Sequence, residues 1–128
     1  MAVPENYQAI AAAAELRDGD IGVRFEVRLQ ERGASHTTAL PAFALRYEGQ
    51  VCAYLNQCAH VAMEMDWQPG RFFDANDPVD ARYIMCASHG AMYEPHTGLC
   101  VGGPCTGARL QSVPIIEQEG MIYAAISI

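Results

Sequence analysis

The sequence predicts an all-β domain, an antiparallel sandwich or barrel base with a cysteine- and histidine-rich segment inserted in it. Three observations carry this. Short runs alternate apolar and polar residues, as half-buried strands do. Glycine-containing turns separate those runs. Between residues 57 and 107 the alternation stops, and Cys, His, Gly, Pro and Met crowd together.

Taken in order, Ala11 to Ala14 is a small-residue patch that suits a short helix or a strand equally. From Ile21 to Leu29 the pattern is clear. Ile21, Val23, Phe25, Val27 and Leu29 share one face, and Gly22, Arg24, Glu26 and Arg28 share the other. Ala42 to Tyr47 and Val51 to Leu55 flank Glu48-Gly49-Gln50, which predicts a hairpin. Tyr83 to Met85 and Ala91 to Tyr93 are short β-prone runs, the second ended by the turn-rich Glu94-Pro95-His96-Thr97-Gly98. Val113 to Ile116 and Met121 to Ile126 flank Glu117-Gln118-Glu119-Gly120 and predict a terminal hairpin. Irregular chain as long as 57–107 is usually functional or ordered by a ligand, and a bound metal is the simplest candidate because it would order the loops directly.

Composition narrows the function. The chain has 128 residues, of which 51% are apolar, enough for one core. Eight basic and fifteen acidic side chains give a net charge of −7, the wrong sign for a phosphate-binding surface. No apolar run reaches the roughly 18 residues that span a bilayer. The N-terminal stretch lacks a basic region ahead of its short Ala-rich segment, so no signal peptide is expected. Five cysteines do not make a secreted disulfide scaffold; a reducing cytoplasm is expected.

Two motifs carry the chemistry. Cys58-Ala59-His60 is a C-x-H, and Cys86-Ala87-Ser88-His89 is a C-x-x-H followed by Gly90. Two thiolates and two imidazoles suit zinc or iron. On one ion they would form a structural Cys₂His₂ zinc site. Shared between two ions they would hold a [2Fe–2S] cluster, cysteines on one iron and histidines on the other. Each motif mixes Cys with His, which suits the binuclear case, and both readings stay open on the residues alone.

With the trailing Thr97-Gly98-Leu99-Cys100-Val101-Gly102-Gly103-Pro104-Cys105 and Leu110-Gln111-Ser112-Val113-Pro114-Ile115, these motifs resemble the Rieske [2Fe–2S] domain family, from about Glu15 to Ile126. The resemblance implies a single Rieske-like domain over 1–128. Its cluster-binding subdomain would span about 57–107, on a base from 15–56 and 108–128. It implies one [2Fe–2S] cluster, with Cys58 and Cys86 on one iron and His60 and His89 on the other. It also implies a covering loop of Gly102, Gly103 and Pro104, and histidine ligands near the surface. Twenty-five residues separate His60 from Cys86, more than the family gap, and the excess is expected in Arg71 to Arg82 as a surface loop.

The resemblance implies a soluble electron carrier like the ferredoxin components that feed ring-hydroxylating oxygenases. Its partners would be a reductase and an oxygenase, with no nucleic acid and no membrane. A terminal oxygenase is not expected, because only His36 and His96 remain for a mononuclear iron. A small Rieske subunit of a larger redox enzyme, nitrite-reductase-like or an oxygenase assembly, is the alternative. Among the remaining residues, Cys52 is expected in the core. Cys100 and Cys105 are expected as packed free thiols, with a disulfide or a ligand role as the lesser options. Met63, Met65 and Trp67 are expected to shield the first loop, His36 and His96 to be exposed, and Asp74, Asp77 and Asp80 to line a solvated loop.

High-potential members of the family tie their cluster loops with a disulfide, and Met63 and Ser88 stand at the matching positions here. Ala91 replaces a hydrogen-bonding Ser, and Tyr93 keeps a Tyr. Hydrogen bonds to cluster sulfurs stabilise the reduced state and raise the potential. A midpoint in the lower half of the family's range of about −150 to +300 mV is therefore expected. Protein-film voltammetry tests this, and a value above roughly +200 mV would refute it.

Overall fold

A computed structural model describes residues 3–30, 37–59, 64–66, 68–74, 78, 82–87 and 90–127. Its strands in chain order are β1 (Tyr7–Ala12), β2 (Val23–Gln30), β3 (Thr37–Tyr47), β4 (Gln50–Leu55), β5 (Ile84–Met85), β6 (Met92–Tyr93), β7 (Cys100–Gly102), β8 (Ile115–Gln118) and β9 (Met121–Ala125). They make three antiparallel sheets, β1-β9-β8, β2-β3-β4 and β5-β6-β7.

The β3–β4 hairpin is where the predicted pattern is clearest. Tyr47 pairs with Gln50, so the turn is the dipeptide Glu48-Gly49. Both turn residues have positive φ, +50 and +80, as a type I′ hairpin requires. The terminal hairpin repeats the device, with Gln118 opposite Met121 and Glu119-Gly120 at φ +53 and +77.

Side chains on β3 and β4 alternate between two cores. Ala42, Ala44, Val51, Ala53 and Leu55 pack with Val27, Val113, Ile122 and Ala124, filling the space towards β1, β8 and β9. Phe43, Leu45, Cys52 and Tyr54 point the other way, into a core with Cys58, Met65, Phe72, Ile84, Cys86, Ala91, Tyr93 and Cys100. Alternation of period 2 thus gives one hairpin two buried faces. The chain closes the base by returning to both edges of the β2-β3-β4 sheet. Leu55 and Val113 donate to Gln111 and Ala53 carbonyls along β4, and Arg28 on β2 donates to the Ile126 carbonyl.

Several expectations change. Ile21 precedes β2 and is exposed; Gly22 donates to the Gly70 carbonyl instead of entering the ladder. The Ala-rich patch divides, with Ala11 and Ala12 ending β1 and Ala13 opening a short 3₁₀ turn to Glu15. β1 itself carries no apolar alternation, and pairing with β9 supplies its order. Val113 lies before β8, bonded to β4. Arg71 to Arg82 is not wholly a surface loop: Phe72 is buried and stacks on Phe43, ring centroids 3.8 Å apart. His36 and Asp77 and Asp80 lie outside the described residues.

Two glycines separate backbone strain from steric conflict. A Cβ on Gly49 would meet nothing within 4 Å, so Gly49→Ala costs only the positive-φ penalty, about 1 kcal/mol. A Cβ on Gly22 would sit 2.6 Å from the Ala44 carbonyl oxygen, in the middle of β3. Gly22→Ala should cost about 3 kcal/mol, the upper end for overpacking. Urea unfolding of both variants measures the difference, and equal losses would contradict this packing.

Candidate iron–sulfur site

The site-side core gathers the two motif cysteines and the tyrosine singled out in the sequence. Cys58, Cys86 and Tyr93 are all buried there, together with Met65 and Ala91. Cys58 follows the end of β4, and Cys86 follows β5. Both therefore leave rigid strands just before their motifs. His60 and His89 lie outside the described residues, as do Met63, Trp67 and Ser88.

Main-chain bonds join the two ends of the second motif. Cys86 N–H donates to the Ala91 carbonyl at 2.9 Å, and Gly90 N–H donates back to the Cys86 carbonyl at 2.9 Å. Gly90 has φ +72. The two motif loops are joined directly, because Ala87 N–H donates to the Met65 carbonyl at 2.9 Å. This main-chain bond does part of what a disulfide between the loops would do.

A buried polar pair, not anticipated from the sequence, holds the Met65 segment. Asn56, fully buried at the end of β4, accepts from Met65 N–H at 2.8 Å and donates to Asp66 Oδ1 at 2.7 Å. Asp66 Oδ2 accepts from Gly70 N–H at 2.9 Å and lies 3.5 Å from Arg24 Nε. Arg24 also reaches Glu64, at 2.6 Å. Buried polar groups survive only when satisfied in this way. The available signal was an Asn closing an otherwise apolar strand two residues before Cys58.

Tyr93 is the hub. Its hydroxyl accepts from Ala59 N–H at 2.9 Å and lies 3.4 Å from Cys58 Sγ and 3.3 Å from Cys105 Sγ. Burial, and then its hydrogen bonds with the two cysteines, push its pKa well above the usual tyrosine range. The hydroxyl thus keeps its proton and can donate it to sulfur. Ala59 fixes the oxygen, which leaves the O–H to point at a thiolate.

The Gly102-Gly103-Pro104 segment packs against the Gly90–Ala91 segment. A Cβ on Gly103 would come within 2.9 Å of Ala91 Cα, and Gly103 has φ +91. The loop backbone therefore lies directly on the Gly90–Ala91 segment, and only glycine fits there. Pro104 is exposed, and Gly102 packs against Met92. Cys100 Sγ donates to the Gly102 carbonyl at 3.2 Å, and Cys105 Sγ lies 3.0 Å from Cys100 Sγ. Both cysteines are free thiols. Burial, then the hydrogen bond with Cys105, raises the pKa of Cys100.

Two residues outside the site complete the account. Cys52 is in the core as expected, its thiol pushed up to about 11 by burial and then by the Glu94 charge. His96 is not exposed as expected. It is half-buried, its ring 5.6 Å from that of Tyr47 and its Nε2 3.0 Å from Glu48 Oε1. The turn that suggested exposure folds back over the β3–β4 hairpin.

The family model of the Rieske [2Fe-2S] domain matches residues 6–119. No curated protein sequence gives a significant match. Among solved structures, a chain in the complex of reduced oxygenase and oxidised ferredoxin of carbazole 1,9a-dioxygenase is 22% identical. It superposes with a TM-score of 0.64, over 97% of this chain and 96% of that one. The terminal oxygenase of carbazole 1,9a-dioxygenase from Novosphingobium sp. KA1 is 19% identical, with a TM-score of 0.66 over 95% of this chain and 30% of that one. A chain in the reduced complex between oxygenase and ferredoxin of carbazole 1,9a-dioxygenase is 14% identical, with a TM-score of 0.65 over 95% of this chain and 28% of that one. The chain thus spans between 28% and 30% of these longer matched chains. At such identities the likeness is one of fold. This chain belongs to the Rieske [2Fe–2S] domain family. It carries one [2Fe–2S] cluster and an electron-transfer role with it, which removes the structural-zinc reading. The donor chemistry fits: two buried thiols in one core, one of them facing a tyrosine that holds its proton.

Tyr93→Phe tests the hub. It removes a hydrogen bond to Cys58 that is stronger when the cluster is reduced; a difference of about 1 kcal/mol between the two states is about 40 mV for a one-electron couple. The midpoint potential should fall by roughly that amount. An unchanged or raised potential would show that the hydroxyl does not act on the sulfur.

Proposed function

We propose that this chain is a one-electron carrier that passes electrons from a reductase to an oxygenase. Its ligands are Cys58 and Cys86 on one iron and His60 and His89 on the other, with Gly102, Gly103 and Pro104 covering the cluster. The observation that carries the ligand set is the burial of Cys58 and Cys86 in one core, with the Tyr93 hydroxyl against Cys58.

The bound cluster supplies reversible uptake of a single electron. The chain's own residues set the conditions for it. Phe43, Phe72, Ile84 and Met65 keep water from the cysteine side. Tyr93 donates to Cys58, and the Ala59 amide holds Tyr93 in place. The Ala87–Met65 bond keeps the two motif loops in one arrangement through a change of charge.

The fold's match over 96% of one chain in an oxygenase–ferredoxin complex supports the carrier reading. A net charge of −7 would steer the chain to basic docking surfaces. A cytoplasmic setting goes with this, since Cys100 and Cys105 stand as separate thiols although their sulfurs are 3.0 Å apart, as a reducing compartment keeps them. No helix among the described residues is long and apolar enough to cross a membrane. The match of the same fold to part of longer chains favours a second reading, a small Rieske subunit within a larger redox assembly. Gel filtration and native mass spectrometry of the purified chain separate a free carrier from a subunit.

Anaerobic reductive titration with visible spectroscopy tests the proposal. The coloured protein should take up one electron per chain and return it to an oxidised oxygenase of this class. His60→Ala and His89→Ala should each abolish the spectrum. Uptake of no electron, or oxidation of an aromatic substrate by this chain and dioxygen alone, would contradict the carrier reading.

A further inference from the structure

Cys100 and Cys105 bracket the covering loop and are not needed for the ligand set. Their sulfurs are nonetheless 3.0 Å apart, closer than van der Waals contact. Main-chain bonds hold them there. Cys100 N–H donates to the Ala108 carbonyl at 2.8 Å, Gly107 N–H donates to the Cys100 carbonyl at 3.0 Å, and Ala108 N–H donates to the Cys105 carbonyl at 2.9 Å. Thr106 Oγ1 adds a bond to the Gly103 carbonyl at 2.9 Å. The two thiols are thus positioned by backbone, without a covalent bond between them.

Their exposure differs. Cys100 is 1% exposed, whereas Cys105 is half-buried between exposed Pro104 and exposed Thr106. A small reagent can reach Cys105 and not Cys100. That is the arrangement of an attacking thiol backed by a resolving one. A disulfide needs a sulfur separation of about 2.05 Å, so closure asks for a movement of about 1 Å within an already closed loop.

We propose that Cys100 and Cys105 form a reversible dithiol–disulfide site, oxidised by low-molecular-weight disulfides and linked through Tyr93 to Cys58. The Cys105 thiolate attacks one sulfur of the small disulfide, forming a mixed disulfide and releasing one small thiol. The Cys100 thiolate then attacks the Cys105 sulfur, forming the internal disulfide and releasing the second small thiol. The two cysteines lose two electrons and two protons. The small disulfide gains the two electrons, and its two thiols carry the two protons.

Closure changes what Tyr93 faces. In the dithiol its hydroxyl lies between Cys105 Sγ, at 3.3 Å, and Cys58 Sγ, at 3.4 Å. A disulfide sulfur has no proton and accepts hydrogen bonds poorly, so the hydroxyl then donates to Cys58 alone. The oxidised loop should therefore raise the potential of the cluster. This link rests on the ligand assignment above; the dithiol chemistry does not.

The test equilibrates the intact, cluster-loaded protein, without oxygen, in buffers of graded oxidised-to-reduced glutathione. Samples are quenched in acid, alkylated in denaturant and digested with trypsin. The peptide from Tyr83 to Arg109 contains Cys86, Cys100 and Cys105. Relative to the fully alkylated peptide of the reduced protein it should lack two alkyl groups, with Cys100 and Cys105 joined and Cys86 alkylated, while Cys52 is alkylated in its own peptide, and dithiothreitol should reverse the change in full. Cys100→Ser should trap glutathione on Cys105, and Cys105→Ser should leave Cys100 unmodified. Alkylation of both thiols at every ratio, or a glutathione adduct that persists on wild-type Cys105, would overturn the site. So would iron loss in either serine variant, which would make the pair ligands. The link is read separately, as an upward shift in midpoint potential on closure that Tyr93→Phe abolishes. An unchanged potential with the disulfide formed would overturn the link and leave the ligand assignment standing.

Discussion

The β3–β4 hairpin must be buried on both faces, and the rest of the molecule is arranged to meet that requirement. Its sequence from Ala42 to Leu45 has no exposed member. Small residues face the base, where β1, β8 and β9 come close, and large ones face the site. Burying a side chain such as Phe or Leu is worth about 1.5–3 kcal/mol. Phe43, Leu45 and Tyr54 thus give the site-side loops a reason to collapse onto the hairpin. Phe72 and Ile84 complete that surface from the loop side.

A core of this kind fixes where loops end and leaves open how they run. Directional bonds settle the second question. Asn56 and Asp66 hold the first loop by its backbone, and Ala87 joins it to the second. Gly103 brings the covering loop onto Ala91, and Tyr93 touches both Cys58 and Cys105. The three loops therefore share contacts and cannot shift independently. For an electron carrier that is an advantage, since little structural rearrangement then accompanies a change in charge.

The fold class, both hairpins and the motif cysteines were legible in the sequence, for a common reason. Each rests on local chemistry: period-2 burial, Gly at positive φ after Glu48 and Glu119, and soft donors in short spacings. What was not legible depends on partners far along the chain. β1 is a strand because β9 lies beside it. Phe72 is buried because Phe43 offers a face, although its neighbours Arg71 and Asp74 suggest a surface loop. His96 is covered because its turn returns to Glu48, forty-eight positions away. Asn56 reads as a strand terminator until its bond to Asp66 is seen.

The central claim is that two thiolates hold one iron while two imidazoles hold its neighbour. Mössbauer spectroscopy of the oxidised protein, enriched in the Mössbauer-active isotope of iron, addresses it most directly, because sulfur-ligated and nitrogen-ligated irons differ in electron density at the nucleus. The account predicts two quadrupole doublets of equal area with different isomer shifts. A single doublet from two equivalent irons would contradict it.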